Sequence, residues 1–350
     1  MDAGFGEGRL RRRGQAVIDE GLWRELEIPQ PDRGRSTRRL FPESPHDIHL
    51  GVTHPGRRRM LLLRGDGRAA DHVRLLITDL PQTHGLHLSC SSLSPRDFEL
   101  QIILTTDDLR EVFNPLVEDI ARTVSTTHGD TVLEAAVRRF MHWQRLMRSV
   151  GVDGLSKQSR RGLYGELHFL REHLLNALPQ TVALEAWTGP EGTNQDFQLP
   201  TSAVEIKTTV SKAPGRVKIT SERQLDDKGA GRLFLMLLVL DERRGGTGES
   251  LNATVDSIRY QLSSPSAAAR LETQLARAGY FSHQRGLYDE PRYTLRRADV
   301  WRVGDGFPRI VESDLPAGVG NCSYEVSVSE LKKHRTTTDE VIELIRGTDG

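Results

Sequence analysis

Short apolar runs separated by turn residues dominate the first third of the chain. His49 to Thr53, Arg59 to Arg64, His72 to Thr78, Leu86 to Ser91 and Phe98 to Thr105 each read as a strand. Turn signals such as Pro55-Gly56 and Gly65-Asp66-Gly67 divide them. Strands that follow one another without intervening helices predict an antiparallel sheet. The period then changes. Leu116, Val117, Ile120 and Val124 fall on one face of a helix restarted at Asn114-Pro115, and Leu133, Val137, Phe140 and Met147 continue helical spacing to Gly151. That change places a domain boundary near residue 128, dividing the chain into 1–128 and 129–350.

The second half mixes both periods. From Ser159 to Leu178 a helix carries the stripe Leu163, Leu167, Leu170, Leu174 and Leu178, with Glu166 beside it. Gly165 costs that helix ~1 kcal/mol relative to alanine, so another element is expected to approach closely there. His168 and His173, five residues apart, do not share a face of a regular helix. Ala183 to Trp187 reads as a short strand. Ala203 to Lys207 reads as another, with Val204 and Ile206 on one face and Ala203, Glu205 and Lys207 on the other. Arg216 to Thr220 is a third, followed by a short helix capped by Ser221 and bearing Gln224. Leu233 to Leu240 is apolar on both faces, as a covered central strand is. The order helix, three strands, helix, strand over 159–240 predicts a mixed α/β sheet.

Composition narrows the function classes. The 48 basic and 48 acidic side chains cancel, so net charge does not announce a nucleic-acid partner. Most of the few lysines, however, fall between Lys157 and Lys228. The two cysteines, Cys90 and Cys322, stand alone and form neither a disulfide framework nor a zinc motif. No apolar run approaches a membrane span, and MDAGFGEGRLRRR lacks a signal-peptide core. A soluble protein of the reducing cytoplasm is expected.

The candidate chemistry centres on 193–210. Glu205 and Lys207 project in parallel, ~6.6 Å apart, with Asp196 a hairpin's length upstream. Two explanations stand: a metal site with a lysine that serves the attacking water, or a structural ion pair worth ~0–1 kcal/mol. Phosphodiester hydrolysis needs a divalent cation to polarise the phosphate, and magnesium takes one or two carboxylates plus other oxygens. Asp196 and Glu205 can supply the carboxylates and the Ile206 carbonyl a third oxygen. Lys207 would orient or deprotonate water, and Glu166 could reach the same ion. Gln224, Lys218 and Ser221 are candidates for contacting DNA phosphates. The arginines at 33–39 and 57–59 could do so too, or form plain solvated surface.

These residues resemble the PD-(D/E)XK nuclease superfamily: Asp196, then Glu205-Ile206-Lys207, preceded by a helix with Gly165-Glu166. More narrowly, RGLYGELHFL, NQDFQL, AVEIKTT and KITSERQL resemble bacterial PD-(D/E)XK motif proteins of restriction and anti-phage defence neighbourhoods. One departure is Gln195, where the nominal motif has proline. The resemblance covers roughly 159–240. It implies a restriction-endonuclease-like α/β core (α+β overall) of mixed sheet flanked by helices, behind an N-terminal antiparallel β-rich domain. It also implies Asp196 and Glu205 as metal ligands, Lys207 as the catalytic lysine, Glu166 as an auxiliary acid, and Mg2+ as cofactor with Mn2+ as substitute. The expected function is DNA endonuclease, with DNA, other defence subunits or a second copy of the chain as partners. A catalytically silent DNA-binding or scaffold subunit, and a nuclease acting on RNA or branched DNA, are the alternatives.

Overall fold

The computed structural model describes residues 18, 20–28, 34–66, 70–78, 80, 85–94, 97–127, 129–150 and 153–347. They form two compact units, Met1–Arg145 and Leu146–Gly350. The division falls inside a helix whose first part is tied to the first unit. Arg139 and Trp143 both bond Asp119, and Leu133 lies against Gly65.

The first unit opens with α1 (Glu20–Glu27), followed by β1 (Arg35–Leu40), β2 (Asp47–Thr53) and β3 (Arg59–Asp66). Then come α2 (Ala70–Thr78), β4 (Leu86–Ser92), β5 (Asp97–Leu104), α3 (Arg110–Thr126) and α4 (Val132–Val150). The strands make the expected antiparallel sheet, in the order β1-β2-β3-β5-β4. The strand expected over 72–78 is instead α2. Alternation would bury Val73, Leu75 and Ile77 together, yet Val73 is buried while Leu75 is 70% exposed, which is helical phase. Several arginines are committed internally: buried Arg59 to Glu20 and Glu27, and Arg35 to Glu99. Arg33 lies outside the described residues.

The second unit begins with α5 (Lys157–Phe169), which passes through a π-helical segment, Leu170–Leu174, into a last turn, α6 (Leu175–Ala177). All five stripe leucines are buried. The π segment changes the phase of the helix, so residues five apart become neighbours. His168 and His173 therefore meet edge to face, with ring centroids 6.4 Å apart. Next, α7 (Gln180–Ala186) is a helix, in place of the expected short strand.

The strands β6 (Phe197–Leu199), β7 (Ser202–Thr209), β8 (Arg216–Ile219) and β9 (Arg232–Arg243) follow. The chain continues through β10 (Glu249–Ser250), α8 (Leu251–Gln261), α9 (Pro265–Arg277), β11 (Arg292–Val303), β12 (Tyr324–Ser327), β13 (Arg335–Thr336) and α10 (Thr338–Arg346).

The main sheet runs β10-β11-β9-β7-β6, with β13 paired to β11. It is mixed: β7 is parallel to β9, and the other pairs are antiparallel. Buried β9 is central, as its two-sided apolar run predicts. Helix α5 lies on one face of β7. A Cβ at Gly165 would stand 2.4 Å from Thr208 Cγ2, so the close approach expected from that glycine is present. The other face, carrying Ala203, Leu233, Leu235 and Leu237, packs on Val217, Ile219 and Val326 of a separate β8–β12 ribbon. Thus β8 leaves the main sheet, and residues 222–225 form a turn rather than the expected helix. Among the described residues, no helix is long and apolar enough to cross a membrane.

Candidate active site

The site forms where β6 stops short of the end of β7. Their ladder ends at Phe197↔Val204, and the same register extended by one residue sets Asp196 opposite Glu205. With no β6 main chain left to pair with it, the Ile206 N–H donates to Asp196 Oδ2 at 2.7 Å. A strand residue directs its N–H and C=O to the same edge, so the Ile206 carbonyl also faces the Asp196 side. The main chain of Asp196 is fixed as well: its carbonyl accepts from the N–H groups of Thr188 and Gly189, both at 2.9 Å.

Glu205 is 1% exposed in its side chain. Its Oε1 faces Lys207 Nζ at 2.7 Å as an ion pair, and both carboxylate oxygens are buried with no well-aligned hydrogen-bond donor among the described residues. Lys207 Nζ also donates to Gln224 Oε1 at 3.0 Å. That oxygen accepts the Thr220 N–H at 2.9 Å and the Thr220 hydroxyl at 3.1 Å too.

Glu166 comes from α5, one residue after the glycine that lets the helix approach the sheet. Its Oε2 accepts the indole N–H of buried Trp187 at 2.8 Å. Gly189 closes this corner. A Cβ there would lie 3.0 Å from Asp196 Oδ1 and 3.3 Å from Glu166 Oε2, so both carboxylates border the space its missing side chain leaves.

The structure therefore brings Glu166, Asp196, Glu205, Lys207, Ile206 and Gln224 together. Lys218 and Ser221 lie outside this cluster. Lys218 is exposed on β8 between the core-facing Val217 and Ile219. Ser221 Oγ accepts the Arg223 N–H at 3.3 Å within the turn. Trp187 as a donor, Gly189 and Thr220 are not marked by the sequence. Gly189-Pro190 is a visible turn signal, but nothing local shows what that turn packs on.

Electrostatically the cluster sets three carboxyl groups around one ammonium, and burial together with their mutual proximity disfavours ionising them all. Burial, and then the Asp196 charge, push Glu205 up to about 8 despite Lys207. Burial raises Asp196 to about 6, against the Ile206 N–H and the lysine. Glu166 rises well above the ordinary carboxylate range through burial and then Asp196, while the Trp187 hydrogen bond acts the other way. Such a cluster lacks positive charge.

Among the described residues no three His, Cys, Asp or Glu side chains group as a ligand set. The donors that fit a cation are hard oxygens: Asp196, the buried Glu205 carboxylate and the Ile206 carbonyl. That set suits an ion that keeps several waters, as magnesium does.

The mixed sheet thus sets an acidic residue, Asp196, opposite Glu205 of an E-x-K strand. The family model "Putative PD-(D/E)XK family member, (DUF4420)" matches residues 20–329, and the chain belongs to that family. Its core is thereby a nuclease fold. Nucleases of this superfamily typically use divalent metal ions. No curated protein and no solved structure matches the chain.

Proposed function

We propose that the protein is a metal-dependent endonuclease that hydrolyses DNA phosphodiester bonds, with a role in restriction or anti-phage defence. The observation that carries this reading is the junction at Ile206. One peptide group is clasped by Asp196 and flanked in sequence by Glu205 and Lys207, which places two carboxylates and one ammonium at the same strand edge. Asp196, Glu205 and the Ile206 carbonyl would hold Mg2+, or Mn2+ in its place. The bound ion supplies charge to the scissile phosphate and acidity to water.

The rest belongs to the chain's own side chains. Lys207 Nζ is ion-paired to Glu205 and donates to Gln224, which holds the ammonium where it can face an incoming phosphate oxygen or the attacking water. An ammonium held this way offsets charge that develops on the phosphoryl oxygens. Glu166, whose ionisation is disfavoured by burial and then by the neighbouring Asp196, can exchange a proton with water at the edge of the site. The exposed Lys218 and the turn at Ser221 would meet the DNA backbone outside the carboxylate cluster.

Cleavage of supercoiled plasmid in Mg2+ or Mn2+, set against single-stranded DNA and RNA, tests this reading. Cutting of plasmid abolished by EDTA supports it. Cutting of RNA alone moves the protein to a ribonuclease. DNA binding without cutting of any substrate makes it a silent subunit.

A further inference from the structure

Gln195 stands where the nominal motif has proline, and the structure gives it a use that proline could not serve. Its side chain is almost fully buried, at 4% exposure. One end of the amide lies 3.1, 3.4 and 3.3 Å from the main-chain carbonyls of Arg223, Gln224 and Asp226. Three acceptors around one atom require that end to be the NH2. The other end accepts from Gln198 Nε2 at 3.0 Å. The turn held in this way carries Gln224. By the same logic the Gln224 terminus that meets Lys207 Nζ, the Thr220 N–H and the Thr220 hydroxyl is its oxygen. Arg309 grips the turn from outside, through Leu225 O at 2.6 Å and the Asp227 carboxylate at 3.0 Å.

We infer that Gln195 is a positioning residue for Lys207, acting through the 223–226 turn and the Gln224 side chain. Two adjacent residues then set the two halves of the site. Asp196 fixes its own carboxylate against β7 through the Ile206 N–H, while Gln195 fixes the acceptor that aims the lysine. The ion pair with Glu205 alone leaves the ammonium free to swing about one contact. The second acceptor, anchored to a turn pinned at three carbonyls, removes that freedom.

This inference rests on the nuclease reading only for its effect on rate, and its structural half is tested without catalysis. Acylation of lysines by an amine-reactive ester, read residue by residue by mass spectrometry, measures how tightly Lys207 is held. Exposed Lys212 and Lys218 serve as internal standards. In the intact protein Lys207 labels slowly. In Gln195→Leu, and in the equal-sized Gln195→Glu, which turns a donor into an acceptor facing three carbonyls, labelling of Lys207 relative to Lys218 is expected to rise several-fold with the melting temperature of the rest of the protein kept. Gln224→Ala, at a partly exposed position, should raise it similarly. Where the wild type cuts DNA, the same variants should lower kcat on the order of tenfold and leave KM for DNA unchanged. An unchanged Lys207 to Lys218 labelling ratio in the Gln195 variants overturns the inference, whatever the activity. A raised ratio in the Gln195 variants, where the wild type cuts nothing, keeps the positioning role and removes the nuclease reading.

Discussion

Asp196 Oδ2 accepts the main-chain N–H of Ile206 at 2.7 Å, so one carboxylate both completes the edge of a strand and borders the catalytic candidates. The bond stands in for the ladder hydrogen bond that a longer β6 would supply. It also holds the carboxylate where its charge raises the cost of ionising Glu205. The position is thus structural and electrostatic at once, and conservative substitutions separate the roles. Asp196→Asn keeps an oxygen for the Ile206 N–H and removes the charge. We expect it to fold with near wild-type stability in EDTA and to lose at least ~100-fold in cleavage, checked by thermal denaturation and plasmid nicking.

The pH dependence of stability has a definite sign. Asp196 at about 6 and Glu205 at about 8 stand above their ordinary values of 3.8 and 4.5, and Glu166 is raised as well. Between each pair of values the folded protein holds a proton that the unfolded chain has released. Stability without metal must therefore fall as pH rises from about 4 to about 8, by at most ~1.4 kcal/mol per pH unit for each group. Mg2+ should restore it, with a larger shift in melting temperature at pH 8 than at pH 5 and with proton release. Equal stabilisation at both pH values contradicts this.

Trp187→Phe removes the donor to Glu166 while nearly keeping the ring's packing. Because that hydrogen bond lowers the Glu166 pKa, its loss should move the Glu166 titration, followed by carboxylate NMR, to higher pH. If cleavage needs Glu166 ionised, its acid limb should move to higher pH along with that titration.

Gly165→Ala would set a methyl 2.4 Å from Thr208 Cγ2. Helix α5 must then lift from β7, at a cost of about 1–3 kcal/mol, measurable by urea unfolding. Gly189→Ala touches Asp196 Oδ1 and Glu166 Oε2 instead. It should weaken metal binding more than it weakens the fold.

Lys218→Ala addresses DNA contact outside the carboxylate cluster. If Lys218 meets one phosphate, DNA binding weakens, and the slope of log K against log salt falls in magnitude by about 0.9. An unchanged slope places the DNA elsewhere.

Much of this site is legible in the sequence because its elements are local. The leucine stripe, the glycine against Thr208, the alternation around Glu205 and the apolar run of β9 are each set by neighbours within one element. What stays hidden depends on partners far along the chain. Strand β8 looks like a third sheet strand until Tyr324–Ser327 pairs with it. The run 222–225 has a capping serine and helix-forming residues, but Gln195, Arg309 and the Cys322 N–H to Glu222 hold it as a turn. Ala183–Trp187 and 72–78 read as strands yet fold as helices, because short apolar runs fit either period. The phase change that joins His168 to His173 needs a π segment that no local residue announces.

Plasmid cleavage in Mg2+ and Mn2+ by the wild type beside Lys207→Ala and Asp196→Ala, with folding of each checked by circular dichroism, bears most directly on whether the edge of β7 breaks the phosphodiester bond. Metal-dependent nicking or linearisation by the wild type, abolished by both substitutions, is the expected result. Cleavage that persists in both variants would contradict it, since the bond-breaking centre would then lie away from the edge of β7.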